Sequence, residues 1–348
     1  SQGMLCSQRE LGMGDDHEGI FILNDSFKIG DDFTDYFKDT VFDIEVTPNR
    51  SDLLSHLGLA REIGGIYFKK FRIPEMEKGL NGNVESPVKV KIEAPEGCPR
   101  YSLICLKKGS NGDSPIFMKD RLKKMDLNPK SLFVDISNYN LFELGHPTHF
   151  FDLDKLDGNI TVRFAKKGEK CVTIDGEKRT LKKEDLVIAD DKKIVAIAGV
   201  MGCLNSEVDE NTRNLAIESA IFDPSCIRKT KKRLGLNSDA SYRFERGVDP
   251  EITLTSLKRV VHLLKKHSEF ESIGKVVDVY PGKEEPKVLA VRKKKIKNIL
   301  STDIDESRIT QILTSLGFRI EKLINDSFKV PIPSFRKYDI DGEIDIIE

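Results

Sequence analysis

The chain has 348 residues, more than a single hydrophobic core usually holds, so we expect two or three domains. A composition of 39% hydrophobic and 32% charged residues is typical of a soluble globular protein with a highly charged surface. Because 56 Lys and Arg nearly balance 57 Asp and Glu, no overall field attracts the chain to nucleic acid. Any such binding requires local basic patches.

Cysteine usage and hydropathy indicate a reduced, cytoplasmic protein. The 6 cysteines are scattered without a CxxC pair or a histidine at metal-ligand spacing, so neither a disulfide framework nor a metal site is predicted. No signal sequence is present and no apolar stretch approaches the roughly 18 residues that a membrane helix needs. Both ends look cut, since the last residues stop where a helical pattern begins, so we expect a piece of a longer polypeptide.

The first clear elements are a strand and a helix. Apolar and polar residues alternate over 42–46, which predicts a strand, and after Pro48 a helix capped by Ser51 or Asp52 is expected. The polar residues at this junction are Glu45, Asn49, Arg50 and Asp52. They form either a polar site or a capped helix in which the arginine ties down the turn.

Short strands dominate the middle of the chain. They are predicted at 88–92, 100–106, 160–164, 170–174, 178–181, 186–189 and 194–198. Asp175-Gly176 is a strong hairpin turn, and Ser114-Pro115 begins a helix that runs to Met125.

The stretch Asp135 to Asp152, DISNYNLFELGHPTHFFD, concentrates polar groups able to bind and activate a substrate. Ser137 offers a hydroxyl, Asn138 an amide, and His149 a ring that titrates near neutral pH. The alternative is structural, because Asn and Asp favour turns and a histidine between phenylalanines is often a packed residue.

Two later features also combine structure with possible function. Small residues from Ala196 to Cys203 allow a ligand or a backbone to approach closely. Glu218 is an acid inside the apolar run 217–222, where a carboxylate is costly unless it is paired or held by donors. It has either a functional role or a salt bridge to an arginine.

A basic helix follows. Asp223-Pro224 begins it, Gly235 ends it, and its basic residues are Arg228, Lys229, Lys231, Lys232 and Arg233. They either contact phosphates or form a solvated face. A further amphipathic helix is predicted over 249–267.

A polar linker near Pro281 to Pro286 predicts a domain boundary. Beyond it, strand 288–291, helices near 296–300 and 309–316, and a strand pair through Ile320 and 329–331 fit a compact helix-plus-wing fold.

Seven stretches together resemble the β subunit of bacterial-type phenylalanyl-tRNA synthetase. They occur in family order over nearly the whole chain: 3–20, FDIEVTPNRSDLLSHLGLAREI (42–63), 135–152, AIAGVMG (196–202), IESAIFDP (217–224), LGLNSDASYRFERGVDP (234–250) and PSFRKYDI (333–340). The resemblance implies three parts. Residues 1–40 are the segment that returns from an excised tRNA-binding barrel, 41–280 are the paired third and fourth domains, and 281–348 are a fifth, DNA-binding-like domain, truncated at its C-terminal end.

The resemblance also implies a function, the hydrolytic editing of tyrosine wrongly esterified to the phenylalanine tRNA. By motif position, His149, Asn138 and Ser137 match the catalytic residues, while Glu218 matches the acid that receives the tyrosine hydroxyl. Ala198 and Gly199 match the pocket wall. ATP, magnesium and aminoacylation belong to the complete α2β2 enzyme with its α subunit, and no cofactor is expected in this piece.

Three positions depart from the family pattern. Ser137 stands where threonine is usual, His146 stands where glutamine is usual and could compete with His149 as the base, and Cys203 replaces a glycine. If that glycine has a positive φ, Cys203 would reshape the loop.

We therefore predict an α+β chain with a mixed-sheet editing module and a helix-plus-wing domain. The alternative function is a non-catalytic scaffold that braces tRNA and the α subunit.

Overall fold

The computed structural model describes residues 4–13, 17–23, 27–36, 38–324 and 326–348, and it divides into two compact units, Ser1–Asp43 and Ile44–Glu348. In the first unit, the rings of Phe27 and Tyr36 lie 4.7 Å apart and those of Phe21 and Phe33 lie 6.2 Å apart. A 3₁₀ turn at Phe33–Tyr36 presents two of these rings. The predicted bounds at 40 and 280 stay predictions.

The second unit contains both helices and strands, which confirms the α+β class. Its helices are α1 (His56–Ile66), α2 (Ile116–Lys124), α3 (Leu132–Leu144), α4 (Pro224–Leu234), α5 (Asp239–Phe244), α6 (Thr253–His267), α7 (Lys293–Leu300), α8 (Glu306–Ser315) and α9 (Glu343–Ile347). Its strands are β1 (Val90–Ile92), β2 (Arg100–Lys107), β3 (Thr148–Asp152), β4 (Ile160–Phe164), β5 (Lys170–Val172), β6 (Lys178–Thr180), β7 (Leu186–Ala189), β8 (Ile194–Ile197), β9 (Met201–Gly202), β10 (Leu215–Ile221), β11 (Ser272–Ile273), β12 (Val277–Val279), β13 (Val288–Arg292), β14 (Lys322–Ile324) and β15 (Ser327–Pro331).

Two five-stranded sheets form the centre of this unit. One is mixed, in the order β1-β4-β7-β8-β9, with β1 and β4 parallel. The other is antiparallel, in the order β11-β2-β10-β3, and β12 also pairs with β2. Side chains alternate between the faces of a strand, so β2, β3 and β10 each present two different surfaces.

Each surface of the antiparallel sheet is buried in a different core. Leu103, Phe151 and Ala216 pack with the mixed sheet, for example with Val187. Ile104, Phe150 and Ile217 pack instead with α2, α3 and α6, in a core that also includes Met118, Phe133 and Leu257.

Local sequence explains several helix ends. The Asp223 side chain accepts a hydrogen bond from the Cys226 N–H, Pro224 occupies the first turn of α4, and Gly235 ends the helix with φ 66°. The predicted buried stripe of α6 is confirmed, since Leu257, Val260, Val261 and Leu264 are all buried.

Two predictions near residue 50 are wrong. No strand forms at 42–46, where Phe42 and Ile44 are exposed, because alternation makes a strand only where a partner strand and a core are available. The following helix is capped by Ser55, not by Ser51 or Asp52. Arg50 instead ties the turn down, since it binds Asp52 at 2.9 Å and Glu62 at 2.7 Å.

The C-terminal part has its own small core. Strands β13, β15 and β14 form a three-stranded antiparallel sheet, and Val291, Ile296, Leu313 and Phe328 pack together against it. Among the described residues of the chain, no helix combines the length and hydropathy needed to cross a bilayer.

Candidate functional site

Glu218 and His149 are brought together by strand pairing. They are Cα partners in the antiparallel register of β10 and β3, so their side chains emerge on the same face of the sheet. That face also carries Leu103, Phe151 and Ala216, and it packs against the mixed sheet. The carboxyl group and the imidazole therefore lie side by side in an apolar layer.

Glu218 is held by a tyrosine. Its side chain is buried, and the Tyr101 hydroxyl donates to Glu218 Oε2 at 2.7 Å. Burial raises the pKa of Glu218 to about 8, although the Tyr101 hydrogen bond opposes that rise. Burial and the Glu218 charge raise the pKa of Tyr101, which keeps its proton. Glu218 is thus mainly a neutral carboxyl group at neutral pH, and within the described part of the chain it has no arginine partner.

His149 is the more accessible member of the pair. Its ring meets the Phe151 ring edge-on at a centroid distance of 4.5 Å, and burial lowers the pKa of His149 to about 4. Gly202 packs closely against the His149 ring. A Cβ added to Gly202 would lie 2.6 Å from His149 Cε1 and 2.9 Å from His149 Nε2, so only glycine leaves room for the ring in this position. The imidazole is therefore neutral at physiological pH and is held between an aromatic ring and a glycine.

His146 occupies a different environment. It is fully buried, its Nε2 lies 2.8 Å from Ser219 Oγ, and burial lowers its pKa to about 3. Ser219 donates its own proton to the Thr253 carbonyl, so His146 Nε2–H is the donor to Ser219. Ser219 faces the helices, on the surface of β10 opposite to Glu218. This placement leaves His149 as the histidine beside Glu218.

Ser137 and Asn138 are not brought to Glu218. Both lie on α3, which packs on the helix-covered face of the antiparallel sheet. Ser137 Oγ donates to the Thr148 carbonyl at 2.7 Å, so it reaches the residue before His149 and not the ring. Since β3 is the edge strand of its sheet, the two faces are separated there only by that strand.

Ala198 and Gly199 are tightly packed. Ala198 is buried, and a Cβ on Gly199 would lie 2.8 Å from Phe222, 2.9 Å from Ile227 and 3.1 Å from Phe244. Gly199 also has φ 64°, which favours glycine. The small residue in contact with His149 is Gly202 instead.

The basic face of α4 is divided between paired and unpaired side chains. Arg228 donates to the backbone carbonyl of Glu245, and Lys231 forms an ion pair with the Glu245 carboxylate. Arg233 forms an ion pair with Asp185. Lys229 and Lys232 are exposed and have no hydrogen-bond or ion-pair partner among the described residues.

Sequence reasoning missed Tyr101 and Gly202. A tyrosine within the apolar run 100–106 could have indicated a buried hydroxyl in need of a partner. Gly202 lies within the stretch of small residues from Ala196 to Cys203, but nothing in that stretch distinguished it from Gly199. Cys203 itself has φ −97°, an ordinary extended value, and its side chain is buried in the core, so its own backbone is not strained. The expected reshaping of the loop relative to the family stays a prediction.

Other potential sites lie elsewhere. A separate cleft in the second unit has Asp52, Arg61, Arg243 and Phe335 in its lining. Asp52 belongs to the polar junction predicted near residue 50, and none of the residues predicted for the ester-hydrolysing site lies in this lining. Within the described residues, no group of three or more His, Cys, Asp or Glu has the arrangement of a metal site, and the expected absence of a metal stays a prediction.

Comparison with known proteins assigns the chain to a class. A B3/4 domain matches residues 97–269 and a tRNA synthetase B5 domain matches residues 289–348. The second match assigns the chain to the class of proteins that carry aminoacyl-tRNA synthetase domains. It is 39% identical to the phenylalanine–tRNA ligase beta subunit of Fusobacterium nucleatum subsp. nucleatum and 40% identical to that of Thermotoga maritima, over 100% of this chain and 44% of each relative. The chain belongs to the phenylalanine–tRNA ligase beta-subunit family.

The chain spans less than half of the length of these two relatives. Among solved structures, it is similar to an N-terminal fragment of the phenylalanyl-tRNA synthetase beta subunit from Pyrococcus horikoshii. That similarity has a TM-score of 0.45 and 16% identity, and it covers 86% of this chain and 82% of the other.

Proposed function

We propose that the face shared by His149 and Glu218 hydrolyses the ester of tyrosine wrongly attached to the phenylalanine tRNA. The observation that supports this most is the direct pairing of the two residues across β3 and β10. A neutral imidazole and a hydrogen-bonding carboxyl group then border one apolar layer, which suits an aromatic amino acid esterified at a reactive carbonyl.

The reaction requires a positioned water and a base. His149, neutral because of its lowered pKa, takes a proton from the water as the oxygen attacks the ester carbonyl. The bond to the ribose oxygen breaks, and the proton passes to that oxygen, which leaves free tyrosine and intact tRNA. No cofactor enters these steps. ATP and magnesium serve the ligase reaction of the complete α2β2 enzyme, which we place in the cytoplasm.

Glu218 supplies the discrimination in this proposal. Its buried carboxyl group can exchange hydrogen bonds with a tyrosine hydroxyl, whereas phenylalanine would leave the carboxyl group facing an apolar ring edge. Sites built to bond a substrate hydroxyl can reject the analogue that lacks it by a factor on the order of 10⁴. Correctly charged phenylalanyl-tRNA is therefore spared. Ala198 and Gly199 form part of the packed wall of the same apolar layer.

Ser137 and Asn138 act from the other face of the sheet. Since β3 is an edge strand, an RNA terminus that lies along this edge can place its ester against His149 and its ribose near α3. The Ser137 hydroxyl, now bound to the Thr148 carbonyl, can turn to meet a ribose oxygen.

Deacylation of purified tyrosyl-tRNA tests this proposal. We expect the unmutated chain to release tyrosine faster than buffer, and the His149→Ala variant to lose this activity while its circular dichroism is unchanged. Glu218→Ala should reduce the preference for tyrosine over phenylalanine, and a preserved ratio would reject that role. If the unmutated chain and the complete enzyme both fail to release tyrosine, the non-catalytic scaffold that braces tRNA and the α subunit is the better description.

We also infer that residues 281–348 adopt a helix-plus-wing fold in which the β14–β15 hairpin is the wing. A DNA-binding role is a weaker candidate, because Lys293, Lys295 and Lys297 of α7 are paired with Glu306, Glu343 and Asp303. A salt-dependent titration with duplex DNA tests it, and the absence of binding at low salt would reject it.

A further inference from the structure

Lysines without a partner are concentrated around the β5–β6 hairpin. They are Lys166, Lys167, Lys170, Lys178, Lys182, Lys183, Lys229 and Lys232. All are exposed, and among the described residues none of their ammonium groups has a hydrogen-bond or ion-pair partner. We call this set the hairpin lysine surface.

The lysines before α4 lie in four consecutive parts of the chain, namely the 166–168 turn, β5, β6 and residues 181–183, and these parts are neighbours in the fold. Lys170 pairs with Thr180 and Lys178 with Val172 across β5 and β6. The Gly168 N–H donates to the Leu181 carbonyl at 3.0 Å, which brings the 166–168 turn beside residues 181–183.

Helix α4 joins this surface at its C-terminal end. Arg179 donates to the Leu234 carbonyl and Arg233 to the Thr180 carbonyl, each at 3.5 Å. The lysines at 229 and 232 therefore lie beside the hairpin.

The charge of this surface is not balanced by its own acids. Within residues 166–185, Asp175 is paired with Arg179 and Asp185 with Arg233. Glu169 is paired with Arg163, so Glu177 and Glu184 are the remaining carboxylates of that segment. The whole chain has a formal net charge of −1, so this local excess of lysine is hidden in the composition.

The surface is connected to the candidate site through backbone contacts. The Ile174 N–H donates to the Gly202 carbonyl at 3.1 Å, and Thr173 forms a β-bridge with Cys203. Gly202 in turn supports the His149 ring. Three residues of extended strand, about 10 Å, separate Thr173 from Lys170.

We propose that the hairpin lysine surface binds the phosphate backbone of RNA and guides its terminal ester toward His149. Lysine presents a mobile point charge that suits phosphates reached from several directions. Residues 166–185 and 229–233 contain no aromatic residue on which a base could stack, so the contact is electrostatic and independent of sequence. The delivery of an ester depends on the proposed function, whereas the RNA contact does not.

A charge-neutralising set tests the proposal with a control of equal charge change. The test variant is K170Q/K178Q/K182Q/K183Q, and the control is K70Q/K78Q/K130Q/K266Q, whose lysines are also exposed and unpaired among the described residues. Binding of fluorescent tRNA is titrated for the full chain at several salt concentrations. Each lost phosphate contact should reduce the slope of log K against log salt by about 0.7 for a single strand.

We expect the test variant to bind tRNA at least about tenfold more weakly at low salt, with a slope smaller by up to about 3, and the control to bind like the unmutated chain. Equal binding by the two variants, or no binding by the unmutated chain, would overturn the proposal. Hydrolysis of tyrosine methyl ester by the unmutated chain separately tests the proposed function, so a failure of either idea is recognised on its own.

Discussion

Glu218 lies directly opposite His149 across β10 and β3, and burial acts on the two groups in opposite directions. It raises the pKa of the Glu218 carboxyl to about 8 and lowers the pKa of the His149 ring to about 4. Both groups are consequently uncharged over a wide range around neutral pH. An apolar layer that excludes charge can thus hold a base and a hydrogen-bonding acid side by side.

The first prediction concerns the pH dependence of deacylation. A base with its pKa lowered to about 4 stays neutral at higher pH, so the rate should be level between about pH 5 and 7 and fall below pH 4. The measurement is the single-turnover release of tyrosine, with circular dichroism as a control for unfolding in acid. An inflection near the ordinary histidine value of about 6.5 would indicate a solvated base and contradict this environment for His149.

The second prediction concerns stability and Glu218. Its folded pKa of about 8 lies above the ordinary value of 4.5, so between these values the unfolded chain ionises while the folded chain keeps the proton. The contribution of Glu218 to the free energy of unfolding should therefore decrease as pH rises from about 5 to 8, by an amount on the order of a few kcal/mol. The lowered pKa values of His149 and His146 act in the opposite direction below about pH 6.5, so the Glu218 contribution is measured as the difference between the unmutated chain and a variant that lacks the carboxyl group. In Glu218→Gln this contribution should vanish.

Denaturant midpoints at about pH 5 and pH 8 measure this difference. Glu177→Gln is a matched control, because it removes an exposed carboxylate and should follow the unmutated chain. If Glu218→Gln shows the same pH dependence as this control, Glu218 is already ionised in the folded state.

The sequence predicted those features that depend on local hydrogen bonds. The cap at Asp223 and the stop at Gly235 are set within one helical turn, and both are confirmed. The strand expected at 42–46 is wrong because its formation depends on a distant partner strand. The pairing of Glu218 with His149 is also non-local, so only the resemblance of ordered motifs indicated one site. The resemblance did not indicate the Tyr101 hydroxyl, because a contact between β2 and β10 produces no periodic pattern in the sequence.

The third prediction concerns the support of the His149 ring. Gly202 does not have a positive φ, so Gly202→Ala is acceptable to the backbone, but its Cβ would meet His149 Cε1 at 2.6 Å and displace the ring. We expect deacylation to fall at least about tenfold, since a misplacement of about 1 Å can cost a hundredfold in rate. The melting temperature should change little.

Gly199→Ala is the contrasting control, since its Cβ would meet the Phe222 and Ile227 side chains at 2.8 and 2.9 Å in a backbone with φ 64°. That variant should be destabilised by about 1–3 kcal/mol. If Gly202→Ala retains full activity, the His149 ring does not act from the observed position.

The fourth prediction concerns Cys203, at a position where the resemblance implies a glycine in the family. Its backbone is extended, with φ −97°, and its thiol is fully buried, so glycine offers no relief of strain and would leave a small cavity. Cys203→Gly should therefore lower the free energy of unfolding by about 1–2 kcal/mol through backbone entropy and lost packing. The deacylation rate per folded molecule should not rise. Chemical denaturation and a tyrosine-release assay on the same preparation decide the matter. A faster, equally stable variant would mean that the cysteine does distort the loop that supports His149.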